Sequence, residues 1–272
     1  MTAASRTEHF DVVIAGAGIS GIAAAYHLDT QCPGTSFVVL EAQESFGGTW
    51  RTHRYPGIRS DSDLYTFGYR FKPWTGAPIA TAADILRYMG EVIDENQLGA
   101  HIRYRHTIVA ASWSSREKCW TLETNDTTSG EMQRFTAGFL WMCQGYYRHA
   151  AGYTPDWDGM ADFEGRIVHP QTWPVDLDYR GKKVVVIGSG ATAATLIPAK
   201  SFRVLSRPMA RPLSTAPGGM ASRWMSFRCA REKWNRVRSN WKTLTCWRSP
   251  PPTNWRSCAI VNILAGILVA VR

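Results

Sequence analysis

Gly16, Gly18 and Gly21 form a G-x-G-x-x-G set that follows the apolar run at residues 10–15 without a gap. That spacing suits pyrophosphate binding. The first glycine permits a tight turn, the second lets the backbone approach a phosphate, and the third lets a helix close on a strand. The helix start then offers free N–H groups and partial positive charge to the anion. Glu41 lies 20 residues past Gly21, at the end of the next apolar run. A carboxylate there accepts hydrogen bonds from a ribose and repels a 2′-phosphate, so the site is expected to hold FAD or NAD rather than NADP.

A second set, Gly188, Gly190 and Ala193, repeats the pattern with alanine in third place, a form common where NADP binds. A basic residue is then expected after the following strand. Arg203 and Arg207 are the candidates, but Arg207 is only 17 residues from Gly190, against 23 from Gly18 to Glu41. Either the intervening helix is short or the pattern has already ended.

The most specific signal lies between the two sets. Phe163, Gly165, His169, Trp173 and Pro174 fit F-x-G-x-x-x-H-x-x-x-W-P at every fixed position. Here the sequence resembles the type I Baeyer–Villiger monooxygenases, class B flavoprotein monooxygenases, and within them the mycobacterial ethionamide-activating subgroup. Gly47-Gly48-Thr49-Trp50 with Arg54-Tyr55-Pro56-Gly57 is similar to the family's flavin-contacting loop. Arg59-Ser60-Asp61-Ser62-Asp63 resembles the stretch that carries its active-site aspartate. Cys143-Gln144-Gly145-Tyr146-Tyr147 resembles the strand end closing its first flavin segment, with Gln144 where a small hydroxyl residue is more usual. The resemblance covers about residues 8–199, and members run to about twice this length.

The resemblance implies an oxidoreductase in which NADPH reduces FAD. The reduced flavin then meets O2 and, as a C4a-peroxyflavin, oxygenates a small ketone or a soft heteroatom such as sulfur. Asp61 is the implied catalytic residue, pairing with an arginine from beyond the second glycine set that no position here matches. Gly48, Thr49, Trp50 and Asp61 join Gly16, Gly18, Gly21 and Glu41 as FAD-binding residues. Gly188, Gly190 and Ala193 are the implied NADPH contacts. The family places His169 between domains, and the resemblance implies that it helps couple nicotinamide binding to domain motion, with plain structural packing as the alternative, rather than moving a proton. The competing reading is a non-catalytic flavin-binding remnant with a basic interaction tail.

These residues need rigid elements to hold them. Residues 10–15, a helix over 22–28 and a strand over 37–40 make a β–turn–α–β unit, the start of a doubly wound parallel sheet. Residues 49–78 are rich in loop formers, and 82–96 read as a helix. Strands at 102–111, 119–123 and 132–136 predict an antiparallel β-meander, and 139–143 a buried strand returning to the parallel sheet. A new strand at 184–187 opens the second unit. The expected fold is α/β: an FAD-binding Rossmann-like sheet, an antiparallel meander and an incomplete second dinucleotide-binding domain. The expected divisions are 1–147 for the FAD domain, 148–180 for the fingerprint linker, 181–206 for the start of the NADP domain and 207–272 for an atypical tail.

The net charge of +9 is unevenly spread. Residues 200–272 hold 14 of the 31 lysines and arginines and one acid, Glu232, so the body before them carries 17 basic and 21 acidic residues. A nucleic-acid partner therefore rests on the tail alone and is not expected. That tail contains no Asp, His or Tyr but five of the twelve tryptophans, and it has no sustained helical or strand period. It is read as disordered or as translation in a shifted frame after about Ala199, with a genuine basic extension as the alternative. Residues 258–271 are apolar, but 14 residues fall short of the about 20 that cross a bilayer. A short buried helix is the first reading and weak membrane association the second. The six cysteines form no C-x-x-C pair, so neither a metal nor a disulfide framework is suggested, and a cytoplasmic location is expected.

Overall fold

A computed structural model describes residues 7–148, 151–188, 190–199 and 268–271. The chain divides into two compact units, residues 1–150 and 151–272.

In the first unit, β1 (Thr7–Ala15), β2 (Phe37–Leu40), β3 (Ile102–Arg103), β4 (His106–Ser114), β5 (Cys119–Asp126) and β6 (Met132–Met142) form one sheet in the order β3-β2-β1-β6-β5-β4. β1 is central and runs parallel to both β2 and β6, while β5 is antiparallel to β4 and β6. The second half of β1 and all of β2 are buried, as a parallel sheet covered on both faces demands. Helix α1 (Ile19–Gln31) packs through Gly21, Ile22, Ala24, Ala25 and Leu28, whose mostly small side chains let it lie close to the strands. It shares a core with α4 (Ala82–Glu95), contributed by Ile85, Tyr88, Met89, Val92 and Ile93.

The structure departs from the sequence reading in several places. The expected strand at 102–111 is two strands. Arg105 breaks it with φ +65°, donating its N–H to the Gln43 carbonyl while the chain leaves β2 to join β5. The expected strands at 132–136 and 139–143 are one, because β1 pairs along their combined length. The far end is not buried: pairing with β5 stops at Ala137, and Phe139 and Trp141 remain 56% and 39% exposed. The loop-rich stretch holds two single-turn helices, α2 (Thr49–Thr52) and α3 (Leu64–Phe67). Asp63 caps α3 by accepting from the Thr66 N–H and hydroxyl.

Helix α4 opens with a full capping box. Asp84 N–H donates to the Thr81 hydroxyl, while the Thr81 N–H and hydroxyl donate to the Asp84 carboxylate. The Thr81 hydroxyl first, and then the Arg87 guanidinium, hold the Asp84 carboxyl below its ordinary range. Such a depressed group contributes stability above its unfolded value and loses it as pH falls through the folded one. Thr81→Ala is therefore expected to cost about 1 kcal/mol near neutrality. That penalty should shrink in strongly acidic solution. Urea unfolding at the two pH values reads both effects.

In the second unit, β7 (Arg166–Val168), β9 (Leu268–Val271) and β8 (Val184–Ile187) form an antiparallel sheet in the order β7-β9-β8. The last four residues of the apolar run at 258–271 are thus a strand, while residues 258–267, where the rest of the buried-helix reading falls, lie outside the described residues. Val269 is fully buried in β9, a central strand whose two edges pair with β7 and β8. Helix α5 (Ala191–Leu196) follows β8 and ends in a short 3-10 turn at Ile197–Ala199. Arg203, Arg207 and the rest of the tail before Leu268 lie outside the described residues. No helix among the described residues is long and apolar enough to cross a membrane.

Candidate functional site

The first glycine set sits where β1 turns into α1. Gly16 has φ +102°, and a Cβ there would stand 2.8 Å from the Cys143 carbonyl oxygen. A Cβ on Gly21 would stand 1.9 Å from the Gly16 carbonyl oxygen, so the helix rests directly on the turn. Gly18 is the N-cap of α1 and brings no side-chain hydrogen bond, and the first turn carries no acid. The helix start is left to backbone N–H groups and the positive end of the dipole, the arrangement an anion uses.

Two further segments close on this turn. Gly47 N–H donates to the Ala17 carbonyl at 3.0 Å, and Gly48, with φ +52°, comes so near that its Cβ would lie 3.2 Å from the Gly18 Cα. Glu41 is only 6% exposed. Its Oε2 accepts the Ala17 N–H at 2.7 Å and its Oε1 the Gln43 N–H at 2.9 Å. The carboxylate therefore braces the glycine turn, a role that the spacing of Glu41 did not reveal. Each oxygen keeps acceptor capacity for a further donor. Gly-only contacts, an open helix start and a buried carboxylate fit a dinucleotide pyrophosphate with its ribose.

Thr49 and Trp50 follow on α2. The Thr49 carbonyl accepts from His53 Nδ1 at 3.1 Å, and the Trp50 ring is half-buried, stacked on Phe67 at 6.4 Å between centroids. The His53 ring meets Tyr55, which is buried, and Tyr147. Asp61 is exposed on a loop held by the Ser60 N–H to Ala80 carbonyl and Leu64 N–H to Pro78 carbonyl bonds. Burial pushes the Tyr147 hydroxyl above the ordinary tyrosine range, with Tyr146, Asp61 and Tyr55 adding to the shift. His53 and Tyr147 thus connect the end of the glycine loop to the segment after β6, on which Asp61 acts through its charge. No motif marked them as a connection, because it is made only by folding.

The second glycine set repeats the first in backbone. Gly188 has φ +133°, and Gly190 caps α5 at φ −77°, ψ −175°, against φ −76°, ψ −173° for Gly18. Ala193 is buried. Within the fingerprint, Phe163 and Gly165 precede β7, and Trp173 meets Tyr179 edge-on at 6.1 Å. The Pro174 carbonyl accepts from the Leu177 N–H. His169 is half-buried, caps the 3-10 turn at Pro170–Thr172 and accepts the Gln171 N–H at Nδ1.

Residues 14–76 match the NAD(P)-binding Rossmann-like domain, and residues 78–218, just over half of the chain, match the flavin-binding monooxygenase-like family. The second match runs past Ala199. The FAD-containing monooxygenase EthA of Mycolicibacterium smegmatis is 55% identical over 193 residues, which is 71% of this chain and 39% of that protein. A steroid monooxygenase bound to NADP superposes with a TM-score of 0.59 at 34% identity, covering 70% of this chain and 36% of its own. OTEMO in complex with FAD and NADP gives 0.59 at 30% identity, over 71% and 37%. The chain thus spans about two-fifths of the length of the curated relatives it matches.

Proposed function

The chain belongs to the flavin-binding monooxygenase-like family, and on that premise we propose that it serves FAD- and NADPH-dependent oxygenation of a small ketone or a soft heteroatom such as sulfur. One observation carries the reading: the buried Glu41 carboxylate bonded to Ala17 within a glycine-rich turn that opens onto an uncapped α1. When bound, FAD supplies the redox chemistry, taking a hydride from the nicotinamide and activating O2. The remaining work belongs to the chain. The first-turn N–H groups of α1 hold the pyrophosphate, and Glu41 accepts from the ribose hydroxyls. Gly48, Thr49 and Trp50 wall the flavin side. Asp61 places a negative charge near the reacting region and orients a cationic partner there. Gly188, Gly190 and Ala193 receive the NADPH pyrophosphate in a turn shaped like the first, and the fingerprint around His169 senses it. The similarity to EthA and to NADP-bound monooxygenases supports this division of labour.

The test begins with the visible spectrum of the purified chain after incubation with FAD. Oxidised-flavin bands that survive gel filtration are expected. NADPH is then added in air with a simple ketone and, separately, a thioether. Ester or sulfoxide formed with NADPH consumption supports the proposal. Bound flavin that NADPH leaves oxidised rejects catalysis by this chain and favours a flavin-binding remnant.

A further inference from the structure

We infer that Gly152 is a positioning residue for His169, holding its imidazole in one orientation and one tautomer. Gly152 lies 17 positions before the histidine in irregular backbone, outside the F-x-G-x-x-x-H-x-x-x-W-P pattern. It does not have positive φ, so any residue could adopt its backbone conformation. Space is what requires glycine. A Cβ at this position would stand 2.0 Å from His169 Cε1, 2.4 Å from Nδ1 and 2.5 Å from Nε2. The imidazole edge carrying both nitrogens therefore rests on the Gly152 backbone.

The other side of the orientation is set by Gln171, whose N–H donates to Nδ1 at 3.1 Å. An accepting Nδ1 puts the proton of the neutral ring on Nε2. The ring is thus fixed between a backbone surface and a backbone donor. A methyl group on Gly152 displaces the ring rather than the chain, because a side chain turns more easily than a packed backbone. Displacement takes the acceptor from Gln171 and frees the tautomer. The functional meaning of this support rests on the nicotinamide-sensing role proposed for His169.

The imidazole nitrogens of the full chain can be read by two-bond 1H–15N NMR, with His169 identified by the signals lost in His169→Gln. The wild type is expected to show the Nε2–H tautomer. Gly152→Ala is expected to lose that pattern and to shift the Gln171 amide. Both signals unchanged in Gly152→Ala would overturn the inference. A double-mutant cycle covers a variant that folds poorly. Gly152→Ala should lower the melting temperature of the wild type but leave that of His169→Ala unchanged, because the methyl then enters vacated space. Equal losses in both backgrounds also reject the inference. Titration with NADP+ separates the two readings: weakening by about fivefold or more in Gly152→Ala is the expected coupling. A displaced ring with unchanged NADP+ affinity keeps Gly152 as the support and removes the nicotinamide role of His169.

Discussion

Gly21→Ala is expected to abolish FAD retention and to destabilise the first unit by about 3 kcal/mol or more, the upper end of overpacking penalties. The new Cβ would meet the Gly16 carbonyl oxygen at 1.9 Å and its carbon at 3.0 Å. Both atoms are backbone, so no side chain can turn aside. Helix α1 must lift from β1, which opens the pyrophosphate turn and unpacks Ile22, Ala25 and Leu28 from the sheet. Gly34→Ala is the contrasting control: Gly34 has positive φ, at +86°, which the helical Gly21 does not, and a Cβ there meets nothing within 4 Å. Its expected cost is backbone strain alone, about 1–2 kcal/mol, with flavin retained. Gel filtration with FAD and urea unfolding read both variants. Near-stoichiometric flavin on Gly21→Ala would refute the close packing of turn and helix.

Glu41→Ala is expected to lower FAD affinity by tenfold or more and to destabilise the apo chain. The substitution strands two N–H groups, of Ala17 and Gln43, in a site where the carboxylate was 6% exposed. Each stranded donor costs about 1–3 kcal/mol. Loss of one ribose hydrogen bond to a charged acceptor adds about 1.5–3 kcal/mol to the binding deficit, which exceeds the 1.4 kcal/mol equivalent to tenfold. Glu41→Gln should fall between, because its amide keeps one acceptor and turns a donor group toward one of the two N–H groups. Flavin fluorescence titration measures affinity, and denaturant unfolding without FAD isolates the bracing role. Wild-type affinity in Glu41→Ala would remove Glu41 from the cofactor site and leave it as a brace.

The exposed end of β6 marks a limit of pattern reading. Residues 139–143 look like a buried strand because Phe, Leu, Trp and Met follow one another. Burial depends on neighbours, and β5 ends its pairing at Ala137. Composition reports how apolar a strand is, whereas only the sheet decides which strands stand beside it. The same reason explains the break at Arg105. A change of pairing partner from β2 to β5 leaves no sequence mark, because Arg105, which takes positive φ there, is not a type that favours it.

What the sequence determined alone was local and covalent in range. The glycine turns were legible because Gly16 and Gly188 sit at positive φ and Gly21 has backbone where a Cβ would stand, so spacing carries the geometry at those positions. The helix at 82–96 and the alternation of strands with turn formers were legible because their side-chain periodicity is local. The tertiary structure decided which distant groups meet. Glu41 bonds Ala17 across 24 positions, the His53 ring meets Tyr147 across 94, and Gly152 carries the imidazole of His169. Those contacts depend on how the strands and loops of each unit pack within that unit. No local propensity encodes them, because hydrogen bonds and steric contacts act at a few ångströms in space regardless of separation along the chain.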